Sequence, residues 1–355
     1  TAVPAANITG TLPAISATNL TNIPAANITG TLPAISGANL TGISSAGRAH
    51  NLIINGAMLV AQRGTSFTAT GSYPVDRFRP QWGGTDENPT VAQVDVTSGT
   101  TPYTSGFRKA IKITNGNQSS GAGTSDYLFL RYKVEAQDLA QSGWNYTSAS
   151  SFITLSFWVK SSVAQTFQCR LESQDGTKQN FPFEIGSLSA DTWTKITKTI
   201  PGNSNITINN DTGTGMEIWW ELFRGTDETD NSVTNDAWQA ETSNRTKDQT
   251  STWYTTDNAT YEITGVQFEV GSFATDFEHR SYAQELHRCA RYYQKQLSGN
   301  PKAVASAFAY NTQYGNFTPH YPMGPMRTAP SLDQTNGNNY YEINGGLDHG
   351  DHLDG

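Results

Sequence analysis

Three predicted strands carry side chains whose types and spacing suit carbohydrate binding. The polar-face positions of LSFWVK, FQCRLE and MEIWWELF include Trp158, Arg170, Glu217, Trp219 and Glu221. An indole ring covers the apolar face of a pyranose, while carboxylate, guanidinium and amide groups bond its hydroxyls. If these strands share a sheet, the side chains form one platform. The alternative is that the rings cap the edge of a β-sandwich or pack between the chains of a trimer.

A second candidate site is the long polar segment 225–256. Its aromatic residues Trp238, Trp253 and Tyr254 are candidate glycan contacts, because a loop this long inside a compact domain usually binds something or is disordered. The segment also contains Asp227, Glu228, Asp230, Asn231 and Asp236. A calcium ion would need about six to eight oxygen ligands, and the run lacks the spacing and glycine of a calcium loop. Solvated acidic residues are therefore expected, with calcium as the alternative and no other cofactor.

The sequence does not predict an enzyme. Glu217 and Glu221 are four residues apart on one strand. Their carboxyls are therefore separated by about 13 Å, beyond the roughly 5–10 Å of glycosidase acid pairs. No G-x-S-x-G or H-E-x-x-H motif occurs, and both thiols, Cys169 and Cys289, fall on apolar stripes. A discontinuous active site or one assembled from several chains is left open.

The elements that must position these residues are mostly strands. Residues 51–280 alternate with period two between Gly, Asn, Asp and Ser clusters, which predicts a mainly β fold with an antiparallel β-sandwich of the jelly-roll type. The predicted inward rows are Ala92, Val94 and Val96; Ile111 and Ile113; Leu128, Leu130, Tyr132 and Val134; Ile153, Leu155, Phe157 and Val159; Phe167, Cys169 and Leu171; Phe181, Phe183 and Ile185; Met216, Ile218, Trp220 and Leu222; and Val266, Phe268 and Val270.

Ahead of this region, residues 1–44 contain the near-duplicates VPAANITGTLPAISATNLTN and IPAANITGTLPAISGANLTG. Four prolines exclude a continuous helix, and so short a repeat cannot enclose a core of its own. We predict a fibrous β-repeat shaft in which three chains wind together, followed by a hinge at 45–50; a flexible linker is the alternative. The predicted trimer positions are Ile8, Leu12, Ile15, Leu20, Ile28, Leu32, Ile35 and Leu40.

One helix is predicted at 281–298, with Ser281 and Gln284 as a capping box. Its apolar stripe is Tyr282, Leu286, Cys289, Tyr293 and Leu297. Residues 299–355 are predicted to return to β structure as a small C-terminal tip. Histidines 320, 349 and 352 lack a recognised ligand spacing, so a solvated terminus is favoured over a metal site there.

Composition limits the possible partners. The chain has 355 residues and a net charge of −8, and it lacks the basic clusters that phosphate contacts require, so no nucleic acid is expected. Two distant cysteines do not form a disulfide framework. The sequence has no apolar run of about 18 residues and no visible signal peptide, so no membrane insertion is expected.

Several segments resemble bacteriophage proteins. IPAANITGTLPAIS resembles the shaft repeats of phage tail fibres, and NLIINGAMLVAQRGTSFTATGSYPVDRF is similar to the head-domain opening of fibres from marine and cyanobacterial phages. GVQFEVGSFATDFEHRSYAQELHRCARYY and YPMGPMRTAPSL resemble further segments of those proteins. LSFWVKSS, FQCRLES and DTWTKITKTIPG are similar to the strand succession of jelly-roll carbohydrate-binding modules. In the resembling fibres the MRTAP-like segment leads into further strands, which leaves open whether the tip is complete here.

The resemblance implies a virion tail-fibre protein, a homotrimer joined to other phage tail proteins. Its expected function is adsorption to a host surface polysaccharide or lipopolysaccharide without catalysis, with avidity from many weak sites. The competing interpretations are a structural fibre segment without receptor contact, a polysaccharide depolymerase, and a secreted bacterial sugar-binding module. The sequence does not identify the glycan or the host.

Overall fold

The apolar rows of the sequence form two antiparallel sheets that share one core. The computed structural model describes residues 51–297 and 324–331, together with the backbone of strands at 307–309, 315–317, 342–345 and 349–352. These residues belong to one compact unit, Ala46–Gly355. The predicted shaft at 1–44, the hinge at 45–50 and the trimer positions lie outside the described residues and stay predictions.

Within the described residues, the sandwich has twelve strands. They are β1 (Ser66–Phe67), β2 (Phe78–Gly83), β3 (Thr90–Asp95), β4 (Lys109–Thr114), β5 (Tyr127–Glu135), β6 (Phe152–Ser161), β7 (Thr166–Ser173), β8 (Gln179–Ser187), β9 (Thr194–Pro201), β10 (Thr214–Arg224), β11 (Gln239–Ala240) and β12 (Thr260–Val270). Sheet A has the order β1-β3-β4-β12-β6-β9, and sheet B has the order β11-β8-β7-β10-β5-β2. The chain passes repeatedly between the sheets, which is consistent with the predicted jelly roll.

The core between the sheets contains most of the predicted inward rows. The rows of β4, β5, β6, β7, β8 and β10 are buried throughout. Phe157 of sheet A meets Trp220 of sheet B edge to face, with ring centroids 5.7 Å apart. Strict alternation along these strands therefore identifies which side chains fill the sandwich.

Two predicted rows are partly wrong. In β3 the buried residue is Val91, because it pairs with the inward-facing Ile113 of β4; Ala92 and Val94 are only half-buried. At the end of β12, Val270 is 38% exposed.

A register shift in β12 lies between Thr264 and Gln267. Gly265 has a φ of 63°, and a Cβ atom there would lie 2.6 Å from the Phe107 ring. The extra residue lets Ile263 and Val266 both face the core.

The β2 edge of sheet B is occupied by a neighbouring segment of the chain. Pro80, in the middle of β2, has no N–H to donate, and its carbonyl accepts a hydrogen bond from the Gly71 amide at 2.9 Å. The Trp82 amide donates to the Thr70 hydroxyl at 3.0 Å. These bonds use the backbone groups that an edge strand otherwise leaves unpaired.

The helices are short: α1 (Thr101–Thr104), α2 (Ala136–Ala140) and α3 (Tyr282–Ala290). None in the described part of the chain has the length and apolar character needed to cross a bilayer. The predicted helix 281–298 begins where expected but ends at Ala290, because the chain then turns. Tyr292 stacks on Arg77 at 3.4 Å and Tyr293 on Arg63 at 3.5 Å. The predicted stripe is therefore incomplete: Cys289 is buried, whereas Tyr282 is 56% exposed and Leu297 38% exposed.

The capping box of α3 is present. The Ser281 hydroxyl accepts a hydrogen bond from the Gln284 amide at 3.3 Å, and the Gln284 side chain accepts one from the Ser281 amide at 2.9 Å. We expect Ser281→Ala to lower the free energy of unfolding by about 1 kcal/mol in urea titration, because an N-terminal amide loses its acceptor. Ser281→Thr retains a hydroxyl and serves as the control; equal losses for both variants would contradict a capping role.

The backbone beyond α3 forms two antiparallel pairs in the described segments. The strands are β13 (Ala307–Ala309) with β14 (Gly315–Phe317), and β15 (Glu342–Gly345) with β16 (His349–His352). The predicted C-terminal tip as a module, and its histidine side chains, lie outside what the structure describes.

Candidate functional site

The outer face of sheet B brings together four of the predicted binding residues. Trp219 of β10 lies opposite Arg170 of β7 on one side and Arg131 of β5 on the other. Glu217 and Glu221 flank Trp219 at two-residue steps and so share its face. The arrangement combines an indole ring with charged groups of both signs.

Three rings cross this face as an aromatic strip, which we define as Tyr127, Phe129 and Trp219. The ring centroids of Tyr127 and Phe129 are 5.5 Å apart and nearly parallel, and those of Phe129 and Trp219 are 4.5 Å apart. The Tyr127 ring lies over Gly83 of β2, where a Cβ atom would lie only 2.7 Å away. The strip therefore extends over the β2, β5 and β10 positions of the sheet.

Trp219 is not the open platform that the sequence predicted. Its side chain is 8% exposed because the guanidinium carbons of Arg170 and Arg131 lie 4.0 and 4.9 Å from its ring. Phe129 is also buried, whereas Tyr127 is half-buried. The accessible part of the strip is thus its Tyr127 end.

A network of buried ion pairs surrounds Trp219. Arg170 is fully buried; its Nε donates to Glu221 at 2.8 Å, and its Nη1 donates to Glu172. Arg224 also bonds Glu221, at 3.0 Å. Glu217 pairs with Lys133 at 2.8 Å, at a more open position where the lysine side chain is 44% exposed. Because each buried charge has an opposite partner, the network avoids the cost of isolated burial.

The carboxylates of this network are held ionised. Burial acts to raise the pKa of Glu172, but the charge and hydrogen bond of Arg170 outweigh it and lower the pKa to about 2. Burial likewise acts to raise the pKa of Glu221, and Arg224 and Arg170 bring it below its usual value. Neither group is therefore protonated at neutral pH.

Several buried polar atoms on this face have no protein partner within the described residues. They are Nη2 of Arg170, Nε1 of Trp219, Nε of Arg131 and Oε1 of Gln168. Such atoms are costly unless water or a ligand hydroxyl bonds them. The face consequently retains hydrogen-bonding capacity that the protein itself does not use.

The long segment 225–256 folds against the edge of this face. Asn180 donates to the Arg245 carbonyl at 2.7 Å, and the Arg245 guanidinium lies 3.7 Å from both Glu172 and Glu228. Arg224 bonds Glu228 as well. The segment thus extends the ion-pair network.

Trp253 and Tyr254, predicted as glycan contacts, are fully buried in the core. The Trp253 indole donates to the Thr260 carbonyl at 3.0 Å, and Tyr254 stacks on Phe223 with centroids 4.4 Å apart. The prediction is corrected for both residues, because irregular backbone folds their rings inward.

The other two predicted tryptophans, Trp238 and Trp158, are half-buried. Trp238 is half-buried against Phe181, and its indole donates to the Pro201 carbonyl at 2.7 Å. Trp158 belongs to β6 of sheet A and packs with Phe107 in a separate small cluster. It therefore shares no platform with Trp219.

The acidic side chains of segment 225–256 have separate partners. Asp227 accepts from the hydroxyl of Ser125 at 2.7 Å, Asp230 accepts from the Ser232 amide at 2.7 Å, and Asp236 pairs with Lys198. Across the described residues no group of three or more His, Cys, Asp or Glu is placed to hold a metal ion. Calcium stays an untested alternative.

Sequence reasoning missed Tyr127, Phe129 and Arg131 as site residues. Phe129 and Arg131 occupy the outward positions of YLFLRYKVE, between the buried Leu128, Leu130 and Tyr132. The alternation signal was present, but nothing local indicates that β5 lies next to β10.

No protein-family model matches the chain, and no curated protein sequence does so either. Among solved structures, the chain is similar to the enzymatically active domain of tailspike protein 4 from bacteriophage CBA120. The identity is 10%, the coverage is 62% of this chain and 21% of that one, and the TM-score is 0.33. This chain therefore spans about a fifth of the tailspike domain's length.

Two carbohydrate-binding modules are also similar. The family 11 module of a Clostridium thermocellum cellulase is 11% identical, with 61% of this chain and 98% of that one covered and a TM-score of 0.28. The N-terminal cellulose-binding domain of a Cellulomonas fimi β-1,4-glucanase is 11% identical, with 59% and 95% covered and a TM-score of 0.30. At these scores the likenesses define neither a family nor a ligand. The class that the structure itself defines is a two-sheet antiparallel β-sandwich.

Proposed function

We propose that the β-sandwich binds a glycan, without cleaving it, across the outer face of sheet B. The observation that carries this proposal is the aromatic strip bordered by paired charges on β5, β7 and β10. Rings supply apolar surface for sugar C–H groups, and the charged rim supplies donors and acceptors for hydroxyls. The half-buried Tyr127 and the partly exposed Lys133 are the groups that a ligand can reach first.

Charge balance on this face supports a ligand rich in hydroxyls. Arg170 and Arg224 are matched by Glu221 and Glu172, so the buried network carries no large excess of either sign. Hydroxyls bond both carboxylates and guanidinium groups, whereas a charged ligand would need an unmatched partner.

The state of the carboxylates supports binding without catalysis. A glycosidase general acid must hold its proton near neutral pH, which requires a raised pKa. Glu172 and Glu221 instead have lowered pKa values because arginines bond them. Paired in this way, they are suited to orienting a ligand.

We further propose that the chain is a homotrimeric phage tail-fibre protein of the virion, which adsorbs the particle to a host surface polysaccharide or lipopolysaccharide. The support is the resemblance of IPAANITGTLPAIS and of the segment that begins NLIINGAMLV to tail-fibre sequences. Three copies of a weak site on each fibre would raise the avidity for a repetitive surface.

Binding of a glycan to sheet B is tested by Tyr127→Ala in the full chain. We expect about tenfold weaker binding to the best ligand from a glycan array, measured by isothermal titration calorimetry, because stacking on the accessible part of this ring is lost. The matched control is Tyr103→Ala, since both tyrosines are half-buried and lie near an arginine: the Arg108 guanidinium carbon is 4.0 Å from the Tyr103 ring, and that of Arg224 is 6.0 Å from the Tyr127 ring.

Equal affinity of Tyr127→Ala and the unmodified chain would exclude the aromatic strip as the site. Incubation of the chain with host polysaccharide adds a second readout. Shortening of the polysaccharide would contradict binding without cleavage and favour the depolymerase alternative.

A further inference from the structure

A pocket of about 390 Å³ lies beside the β2 edge of the sandwich. It is lined by Arg63, Phe67, Gly71, Ser72, Tyr73 and Tyr293. None of these residues belongs to the aromatic strip or the ion-pair network. Three aromatic rings and one cation in a concave site form a combination that binds small polar ligands in many proteins.

Arg63 contacts two aromatic rings of this pocket. Its guanidinium carbon lies 3.5 Å from the Tyr293 ring centroid and 4.7 Å from that of Tyr73. A guanidinium stacked on an aromatic ring keeps its N–H groups directed outward in its own plane. The stacking therefore fixes the orientation of a planar donor without using its donors.

The donors of Arg63 are largely unused. Within the described part of the chain its guanidinium forms no hydrogen bond, and its ion pair with Asp76 spans 3.9 Å. The two Asp76 carboxylate oxygens accept hydrogen bonds from Gln62 instead, at 3.1 and 2.6 Å. Asp76 is almost fully buried and does not line the pocket.

A second cation borders the pocket. The Arg79 Nε donates to the Gly71 carbonyl at 3.1 Å, and its guanidinium carbon lies 5.9 Å from the Tyr73 ring. Among the described residues, the pocket lining contains no carboxylate. The described lining therefore carries one cation and no anion, in a chain whose net charge is −8.

We propose that this pocket binds a carboxylate-bearing sugar unit of the hexuronic acid class. The guanidinium fork of Arg63 matches the two oxygens of a carboxylate, and the rings of Tyr73, Tyr293 and Phe67 offer apolar surface for the sugar C–H face. Inorganic phosphate shares the anionic chemistry but gains nothing from three aromatic rings. The ring-lined site thus favours an acidic sugar over a small inorganic anion.

This inference adds a site to the proposed function and does not depend on it. The glycan face of sheet B is charge-balanced, whereas the described lining of the pocket carries the Arg63 guanidinium and no carboxylate. An acidic sugar bound here would require no contact with Trp219 or Tyr127.

The test is calorimetric titration of the full chain with trigalacturonate, with maltotriose and inorganic phosphate as comparison ligands. We expect trigalacturonate to bind and Arg63→Gln to weaken it about tenfold or more, because a charge-assisted bidentate contact is lost. Arg108→Gln is the matched control, since Arg108 also stacks on a tyrosine but lies outside the pocket. Circular dichroism checks the fold of each variant; if Arg63→Gln does not fold, Tyr73→Ala takes its place with the same expectation.

Each of the following results would overturn the inference. They are an absence of trigalacturonate binding, equal binding of maltotriose, equal binding of phosphate, and equal effects of Arg63→Gln and Arg108→Gln. If Tyr127→Ala rather than Arg63→Gln abolishes binding, the acidic sugar lies on sheet B. That result overturns the pocket while supporting the proposed glycan face.

Discussion

Arg170→Ala is expected to lower the free energy of unfolding by about 3–5 kcal/mol, because removing one partner leaves buried charges without compensation. Arg170 is fully buried, bonds both Glu221 and Glu172, and stacks on Trp219. Without it, Glu172 and Glu221 each lose a buried cationic partner in a site from which water is largely excluded. Urea unfolding monitored by tryptophan fluorescence measures the loss.

The control is Lys178→Ala, which removes a different cation from the same carboxylate. Lys178 lies 3.3 Å from Glu172 but its side chain is 45% exposed, so the expected loss is at most about 1 kcal/mol. Comparable losses for the two variants would show that the burial of Arg170 does not determine its contribution to the free energy of unfolding.

The same variant changes the acid dependence of stability. The pKa of Glu172 is about 2 in the folded protein against an ordinary value of 4.5, so its pairing with Arg170 stabilises the fold above about pH 4.5. That contribution is lost as the pH falls from 4.5 towards 2. We expect the unmodified chain to lose stability across this window more steeply than Arg170→Ala does. Parallel pH profiles would contradict the pairing.

Asn55→Ala is expected to lower the free energy of unfolding by about 4 kcal/mol, the second large effect. The reason is that each buried polar group left unpaired costs roughly 1–3 kcal/mol. The Asn55 side chain donates to the carbonyls of Val60 and Asp76 and accepts from the Val60 amide, at 2.9 to 3.0 Å. The residue also has a φ of 65°, which alanine adopts at a cost. The backbone N–H of Asn55 donates a hydrogen bond to the Glu285 carboxylate of α3 at 2.7 Å. Asn55 therefore links the sandwich to that helix.

Asn258→Ala separates the backbone cost from the lost hydrogen bonds. Asn258 has a φ of 58° but is exposed, so only the left-handed conformation is penalised, at about 1–2 kcal/mol. Thermal or urea unfolding of both variants gives the difference. If Asn55→Ala loses no more stability than Asn258→Ala, the side-chain bonds of Asn55 are not the source of its effect.

The strands and their inward faces could be predicted from the sequence because a half-buried strand must alternate. Leu155 and Phe157 are buried and Trp158 faces outward because neighbouring side chains point to opposite faces. The alternation does not show which strands pair with each other. Trp158 and Trp219 occupy similar positions in similar strands, yet they lie on different sheets.

The candidate site shows the same limit. The outward positions of Arg170 and Trp219 follow from the sequence, but their burial depends on long-range neighbours. These are Phe129 of β5 and Arg224, which follows a register shift between Glu221 and Phe223 of β10. Trp253 and Tyr254 lie in a segment without a periodic pattern of apolar residues, so their core positions could not be predicted.

The closed β2 edge has a consequence for behaviour in crowded surroundings. Exposed strand edges allow proteins to stack into ribbons and fibrils, and proline is one device that blocks such growth. Pro80 lies in mid-strand, and its carbonyl is already bonded to the Gly71 amide. Sheet B therefore offers no continuous row of free backbone groups at the β2 edge with which a neighbouring copy could pair. Many copies can therefore be held close together without these sheets growing into one another at β2.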